Sequence, residues 1–313
     1  MRSSHGDHLA SVIHLAAYYD FAGEPSPLYE EVTVRGTERL LRGLRRHFQV
    51  EQFAFSSSTP VYAPCEPGQR INEDSPLEPK WDYPESKVRT DELLRADHAE
   101  IPLVILRIAG VYDDLCHSIP LAHHIQRIYE RQLVSHVFPG DSSHGQPFLH
   151  LDDLVEALWL TVERRGELPP EATLLFGEPE TMSYEELQRE FGLLIHGEAW
   201  ETRQIPKAVA KAGAWLQDAL PGEEPFIKPW MIDLADEHQE LDITRARTLL
   251  GWEPRHRLRD SLFRMIGALK RDPTGWYRLN KLEVPQEVPE QEQPEPEGGS
   301  EEALNERTSP AAR

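Results

Sequence analysis

Short apolar segments alternate with longer amphipathic ones along the first part of the chain. Residues 12–17, 50–56 and 102–107 are short runs rich in β-branched, aromatic or small apolar side chains, as expected of buried strands. Between them, residues 26–46 and 83–95 repeat apolar side chains at helical spacing. Alternation of this kind predicts an α/β fold, a doubly wound parallel sheet with crossover helices.

The later part of the chain carries less regular signals. Residues 152–163 have the pattern of an amphipathic helix. Ser183 and Glu186 have the spacing of a capping box, which predicts the start of another helix. A helix over 244–250 is expected to end at Gly251, because glycine readily adopts the left-handed conformation that closes many helices.

These elements divide the chain into three parts. Residues 1–113 are interpreted as a part built on the sheet, and 114–282 as a smaller mixed part, with 150–180 returning to the sheet. Residues 283–313 contain nine glutamates, two arginines and five prolines. Because such a segment buries too little apolar surface to offset its ordering entropy, we predict a disordered acidic tail.

Composition narrows the possible partners. The 313 residues include 33 basic and 54 acidic side chains, a net charge of −21, which repels phosphate polymers and anionic membranes. We therefore expect no nucleic-acid partner and no membrane association. The only cysteines are Cys65 and Cys116, and no secretory signal is visible, so a cytoplasmic location is predicted. Histidines such as His123 and His124 lack metal-ligand spacing, so no metal site is predicted.

Tyr83 and Lys87 carry the most informative chemistry. Residues four apart lie on one face of a helix, so the lysine ammonium is expected near the phenol. A nearby positive charge favours the phenolate and lowers a phenol pKa that is normally about 10. A phenol tuned in this way can exchange a proton with an alcohol or a carbonyl group.

Hydroxyl side chains at the end of a predicted strand add to this signal. Residues 56–58 are Ser-Ser-Ser and Tyr62 follows, while Ser58 lies 25 residues before Tyr83. Open α/β sheets bind ligands at the carboxyl ends of their strands. Here the chain resembles the extended short-chain dehydrogenase/reductases, the NAD-dependent epimerase/dehydratase family, in which a serine-rich strand end precedes Tyr-x-x-x-Lys at about this separation.

The resemblance continues through other segments in the family's order. These segments are 14–17 beside the cofactor, 32–37 in a helix, 106–112 against the nicotinamide, 140–153 on the substrate side and 242–254 near the C-terminus. It implies an NAD(P)-binding Rossmann-like sheet with a smaller C-terminal substrate subdomain. The chain departs from the family pattern at Thr33, where asparagine is usual, at Asp113 and Asp114, and at Gln146, where nucleotide-sugar enzymes often carry arginine.

The resemblance also implies roles for individual residues. Tyr83 would be the general acid/base, Lys87 would tune it and hold the nicotinamide ribose, and Ser58 would bind the reacting oxygen. Expected cofactor-binding residues, besides Tyr83 and Lys87, are Leu15, Ala16, Ala17, Thr33, Ser57, Ile108 and Ala109. Expected substrate-binding residues are Tyr19, Thr59 and Gln146.

The family's pyrophosphate-binding turn is absent from the printed sequence. None of its 19 glycines forms a Gly-x-Gly-x-x-Gly or Gly-x-x-Gly-x-x-Gly pattern. We therefore interpret the chain as N-terminally truncated, starting at the family's fourth strand. Residues 12–17 would then form an exposed apolar edge, a liability for aggregation or pairing. NAD and NADP stay equally open as cofactors, and the activity of the chain as given is doubtful.

Three functions follow as alternatives. The first is an epimerase or dehydratase that acts on a hydroxyl or keto group of a sugar nucleotide or a similar small molecule. The second is a reductase or dehydrogenase of a non-sugar alcohol or ketone, as in dihydroflavonol reductases and hydroxysteroid dehydrogenases. The third is a non-catalytic remnant that acts through a partner. The family resemblance also implies a homodimer through helices near 27–46 and 83–95.

Overall fold

A parallel sheet organises the structure, a computed structural model that describes residues 6–20, 24–218 and 229–285. Its four strands run in the order β2–β4–β5–β9 and are all parallel to their neighbours. The strands are β1 (His8–Leu9), β2 (Val12–His14), β3 (Gln49–Val50), β4 (Phe53–Ser58), β5 (Leu103–Ile108), β6 (Gly110–Tyr112), β7 (Val137–Pro139), β8 (Phe148–His150), β9 (Glu171–Phe176) and β10 (Arg203–Ile205). Three smaller pairs, β1–β3, β6–β8 and β7–β10, are also parallel.

Helices connect these strands. They are α1 (Arg35–His47), α2 (Asp82–Asp97), α3 (Ile119–Tyr129), α4 (Leu151–Glu163), α5 (Tyr184–His196), α6 (Lys207–Asp218), α7 (Pro229–Leu234), α8 (Thr244–Leu250), α9 (Leu258–Arg271) and α10 (Pro273–Leu279). Short 3-10 turns cover Thr59–Val61 and Leu133–His136. Among the described residues, no helix has both the length and the apolarity that crossing a bilayer requires.

Several predicted elements are confirmed. The helix over 244–250 forms as predicted, and Gly251 closes it with a φ of 63°. Ser183 caps α5, and Glu186 completes the capping box by accepting the Ser183 amide. The predicted parallel α/β sheet is present, with β9 paired to β5 over its whole length.

The first predicted strand and helix differ from their predictions. β2 ends at His14, so the strand predicted over 12–17 is shorter than expected. The predicted helix over 26–46 begins with a π-helical turn, Tyr29–Val34, before α1. In this turn the Thr33 hydroxyl accepts a hydrogen bond from the Tyr18 amide at 3.0 Å. The irregular turn therefore fixes the segment that follows β2.

The register of the sheet brings three strand ends into one row. Ser58 lies opposite Ile108, and Ile108 lies opposite Phe176. Apolar side chains cover both faces: Phe53 and Phe55 pack with α1 and α2, whereas Ala54 packs toward α4 and α8. A separate apolar cluster joins α3, α5, α9 and α10. The sheet is thus a rigid support for its carboxyl edge.

Two apolar surfaces stay exposed among the described residues. β2 is an edge strand within the described residues, and Ile13 on it is exposed. On α4, Leu151, Val155 and Trp159 are exposed at four-residue spacing, Trp159 to 62%. The prediction of a disordered tail over 283–313 falls almost entirely outside the described residues.

Candidate active site

Ser58 and Tyr83 meet at the carboxyl edge of the sheet. Ser58 is the last residue of β4, and Tyr83 lies in the first turn of α2. The Ser58 hydroxyl donates to the Ile108 carbonyl oxygen and lies close enough to the Tyr83 phenol to affect its pKa. Burial raises the pKa of Tyr83 above its usual value, and the nearby Ser58 hydroxyl opposes that rise. The expectation of a lowered Tyr83 pKa is therefore wrong for this arrangement, because burial outweighs the other influences.

Lys87 is buried beneath the same edge. Its side chain is 2% exposed, and Nζ donates a 2.7 Å hydrogen bond to the Ser56 carbonyl oxygen. The amine lies 4.9 Å from the ring centre of Phe55 and 5.5 Å from that of Tyr83. Burial lowers the pKa of Lys87 to about 8, and the Asp91 carboxylate opposes this effect. The lysine and the phenol thus share one face of α2, as predicted from their spacing.

His14, which belongs to the 14–17 segment but was assigned no role of its own, lies at the end of β2 near Lys87. Burial and the Lys87 ammonium lower its pKa, so the two groups are electrostatically coupled. His14 Nε2 bonds Thr37 Oγ1 at 2.9 Å, and the Thr37 hydroxyl donates to the Thr33 carbonyl. Because Thr33 is fully buried and bonded to Tyr18, it supports the site from behind rather than lining it.

Ser57 also faces the core instead of the edge. Its hydroxyl accepts a 2.8 Å hydrogen bond from Arg107 and donates one of 3.2 Å to Asp91. Arg107 and Asp91 form a buried ion pair, with Nη1 and Oδ2 2.5 Å apart. The sequence analysis missed this pair, since its members lie on different elements; Arg107 lies in the 106–112 segment that resembles the family, but no role was assigned to it.

Two aromatic side chains stand beside the phenol of Tyr83. Tyr19 meets its ring edge-on, with the ring centres 4.9 Å apart, and Trp81 lies 5.4 Å away. Tyr19 is 47% exposed, so it can contact a molecule that enters from solvent. Tyr19 was predicted as a substrate residue, whereas Trp81 was missed because it precedes the motif.

The other predicted cofactor residues lie on the loops and strand ends around the site. Leu15 is 55% exposed, Ala16 is exposed and Ala17 is half-buried, directly after β2. Ile108 ends β5, and its carbonyl oxygen accepts a 3.4 Å hydrogen bond from Ser58. Ala109 is buried and bonded through its amide to Phe176. The exposed side chains after β2 are thus the ones available to a ligand.

The predicted substrate residues Thr59 and Gln146 are connected through Gln239. The Gln239 side-chain amide donates to the carbonyl oxygen of Thr59 at 3.4 Å, and its backbone amide donates to that of Gly145. Gln146 itself is exposed, and its side chain donates to the Glu237 carbonyl at 2.6 Å. Thr59 is buried, which leaves Gln146 as the more accessible of the two.

One histidine–carboxylate cluster was not foreseen. Donor atoms of His150, Asp152 and His256 lie within 4.8 Å of one another. The two imidazole rings stack at 4.0 Å with an angle of 18° between their planes. Nearly parallel rings direct their nitrogen lone pairs side by side instead of toward a common point. His256 also bonds Asp153, so this group has the contacts of a structural network.

The residues present fit one end of a nicotinamide dinucleotide. A buried amine, a phenol and a serine hydroxyl converge where a nicotinamide ribose and a reacting oxygen would be held. The exposed Leu15 and Ala16 offer apolar contact beside them. The glycine-rich turn that receives a pyrophosphate at a helix N-terminus is not in the printed sequence. The fit therefore concerns the reactive end of the cofactor.

Comparison with known protein families agrees with this geometry. The family model described as the NAD dependent epimerase/dehydratase family matches residues 3–174, more than half of the chain. The chain belongs to this family. The resemblance drawn from its motifs and the Rossmann-like α/β class are therefore confirmed.

Individual family members are distant relatives. An uncharacterized protein of Sinorhizobium fredii is 24% identical over 272 residues, covering 83% of this chain and 71% of that protein. A dTDP-glucose 4,6-dehydratase of Streptomyces griseus is 26% identical over 274 residues, covering 86% and 74%. The crystal structure of a UDP-glucuronic acid 4-epimerase from Bacillus cereus, in complex with UDP-glucuronic acid and NAD, matches with a TM-score of 0.64. At 20% identity, over 84% of this chain and 76% of that one, this match establishes the shared fold.

Proposed function

We propose that this chain is an NAD(P)-dependent oxidoreductase of the epimerase/dehydratase type, acting on a hydroxyl or keto group of a sugar nucleotide or a similar small molecule. The observation that carries the proposal is the convergence of Ser58, Tyr83 and the buried Lys87 amine at one edge of the sheet. Two relatives support the substrate class, since one is named for dTDP-glucose and the other was solved with UDP-glucuronic acid and NAD.

Ser58, Tyr83 and Lys87 each have a separate role in the transfer of one proton. Ser58 holds the reacting oxygen by a hydrogen bond, and Tyr83 takes the proton from a hydroxyl that becomes a carbonyl, or returns it in the reverse step. The Lys87 ammonium lowers the energy of the phenolate that forms meanwhile. A bound nicotinamide, held beside Lys87 and Tyr83, would supply the hydride donor or acceptor for the substrate carbon. Leu15 and Ala16 exclude water from one side of the site.

A turnover assay tests this assignment. The chain is incubated with NAD⁺ or NADP⁺ and a panel of UDP- and dTDP-sugars, and products are separated by liquid chromatography. Epimerised or dehydrated sugar without net cofactor consumption is expected. Tyr83→Phe should lower kcat by at least about 100-fold, because the hydroxyl that transfers the proton is removed. Undiminished turnover by Tyr83→Phe would refute the acid/base role.

A second catalytic function is favoured by Gln146. The Gln146 side chain is neutral and already donates to the Glu237 carbonyl, so it is poorly suited to bind a diphosphate. An arginine at this position could bind a phosphate group through two parallel hydrogen bonds. This favours a reductase or dehydrogenase of a non-sugar alcohol or ketone. Stoichiometric consumption of NADPH or NADH with ketone substrates, and none with sugar nucleotides, would select this function over the first.

The third function, action through a partner, and the expected homodimer concern surfaces. The edge strand β2 with its exposed Ile13 favours association with another chain. The helical segments 27–46 and 83–95 are joined by the Arg89–Glu30 ion pair, 2.5 Å between Nη2 and Oε2, and would form the dimer interface together. Light scattering after size exclusion measures the mass: a dimer supports the helix interface, and a monomer without affinity for cofactor counts against all three functions.

A further inference from the structure

A buried ion pair lies on the core side of the catalytic lysine. Asp91 follows Lys87 by one turn of α2, and Arg107 reaches it from β5, with 2.5 Å between Nη1 and Oδ2. Both side chains are 3% exposed. Ser57 bridges the pair by accepting from Arg107 and donating to Asp91. Buried ion pairs are often no more stabilising than apolar residues of similar size, so stability alone gives no reason for this arrangement.

The surroundings of the Lys87 amine are poor in compensating charge. β4 contributes the Phe55 ring and the Ser56 carbonyl, β2 contributes His14, and α2 contributes Tyr83 and Asp91. On β5, the charged neighbour is Arg107, whose guanidinium is bonded to Asp91. Among the described residues, the Asp91 carboxylate is the anion that acts on this amine.

The balance of these groups decides whether the amine carries a proton. Burial disfavours an ammonium ion, and it lowers the pKa of Lys87 to about 8 against the attraction of Asp91. Burial also raises the pKa of Asp91 to about 6, while the Arg107 guanidinium and the Ser57 hydroxyl favour the ionised carboxylate. Arg107 and Ser57 therefore favour an ionised Asp91 carboxylate at neutral pH, one helical turn from the lysine.

We propose that Asp91, held by Arg107 and Ser57, is a positioning residue that keeps the Lys87 amine protonated and facing the catalytic phenol. The inference rests on the proposed function, in which only a charged Lys87 stabilises the phenolate of Tyr83. Asp91 touches neither the phenol nor a substrate, and its effect reaches the reaction through Lys87 alone.

The test is a direct titration of Lys87 by NMR. The chain has seven lysines, so selective ¹³C labelling of lysine gives a small set of Cε signals, and the one lost in Lys87→Met belongs to Lys87. The variants are Asp91→Asn, Asp91→Glu and, as the matched control, Glu92→Gln, which removes the same charge from the exposed neighbouring position of α2.

In Asp91→Asn we expect the Lys87 midpoint to fall by about one pH unit or more, which raises the ratio of neutral to charged amine about tenfold. Asp91→Glu keeps the charge and should stay close to the wild type, and Glu92→Gln should not change the midpoint. A purely structural role for Asp91 predicts equal effects of Asn and Glu. An unchanged Lys87 midpoint in folded Asp91→Asn overturns the proposal.

A double variant keeps the test possible if Asp91→Asn alone does not fold. Asp91→Asn leaves the Arg107 guanidinium buried without its partner, which is destabilising. The double substitution Asp91→Asn with Arg107→Gln removes both charges together, and the proposal predicts a lowered Lys87 midpoint there too. The titration uses neither cofactor nor substrate. A chain that fails to bind NAD⁺ but shows the shift refutes the proposed function alone, whereas binding without the shift refutes the role of Asp91 alone.

Discussion

The buried Lys87 should lower the stability of the folded protein, and its replacement should recover that stability. Lys87 is 2% exposed, and burial lowers the pKa of its amine from 10.5 to about 8. A lowering of this size corresponds to about 3 kcal/mol against the charged form in the folded state. In Lys87→Met, the methionine side chain has a length similar to that of lysine and carries no charge. It loses the hydrogen bond from Nζ to Ser56, worth about 1 kcal/mol, so a net gain of about 2 kcal/mol is expected at pH 7.

The stability gained in Lys87→Met should decrease as pH rises. Below about pH 8 the amine is charged in both the folded and the unfolded chain, so the penalty of the wild type is complete. Between pH 8 and 10.5 the folded amine is neutral while the unfolded one stays charged, and the penalty declines. The wild type therefore becomes more stable relative to Lys87→Met as pH rises through this window.

Urea unfolding followed by circular dichroism measures this difference. The free energy of unfolding is compared at pH 7 and pH 9.5, values of about one unit or more on either side of the folded-state midpoint. The control is Lys270→Met, since Lys270 is exposed at the end of α9 and should change stability by less than about 0.5 kcal/mol. Destabilisation by Lys87→Met at both pH values would refute the account of a strained, buried ammonium.

Two further predictions concern the region beyond the sheet. Burial lowers the pKa of His124 to about 3, so the folded chain keeps this ring neutral and loses stability as pH falls below about 6.5, with a slope of about 1.4 kcal/mol per pH unit for one proton. His124→Phe should remove that slope in acid unfolding curves, and an unchanged slope would contradict the assignment. Ser183→Ala should cost about 1 kcal/mol in urea unfolding because the α5 cap is lost, whereas Ser183→Thr should retain most of it. Equal stability of the wild type and Ser183→Ala would show that the cap contributes nothing.

Local signals were sufficient where one element carries the whole pattern. The helix ended by Gly251 and the capping box at Ser183 depend on residues close in sequence, and both form as predicted. The pairing of Tyr83 with Lys87 on one helix face likewise needs only helical geometry.

What the sequence did not reveal depends on contacts between distant segments. In the sequence, Arg107 is one polar residue within an apolar strand. Its pairing with Asp91 arises from the packing of α2 on the sheet. The Tyr83 pKa follows burial by neighbouring side chains, which spacing along the chain does not report. The π-helical turn around Thr33 likewise coincides with a bond to Tyr18 across a loop, a contact between segments that the sequence pattern does not report.

The most direct test of the central claim is calorimetric titration of NAD⁺ and NADP⁺ into the purified chain. The account predicts saturable binding of one dinucleotide per chain, weakened at least about tenfold in Lys87→Met and unchanged in Lys270→Met, because Lys87, unlike the exposed Lys270, is proposed to hold the nicotinamide ribose. Absence of binding heat for both dinucleotides, or equal affinity in the wild type and Lys87→Met, would contradict the assignment of this edge of the sheet as the cofactor and reaction site.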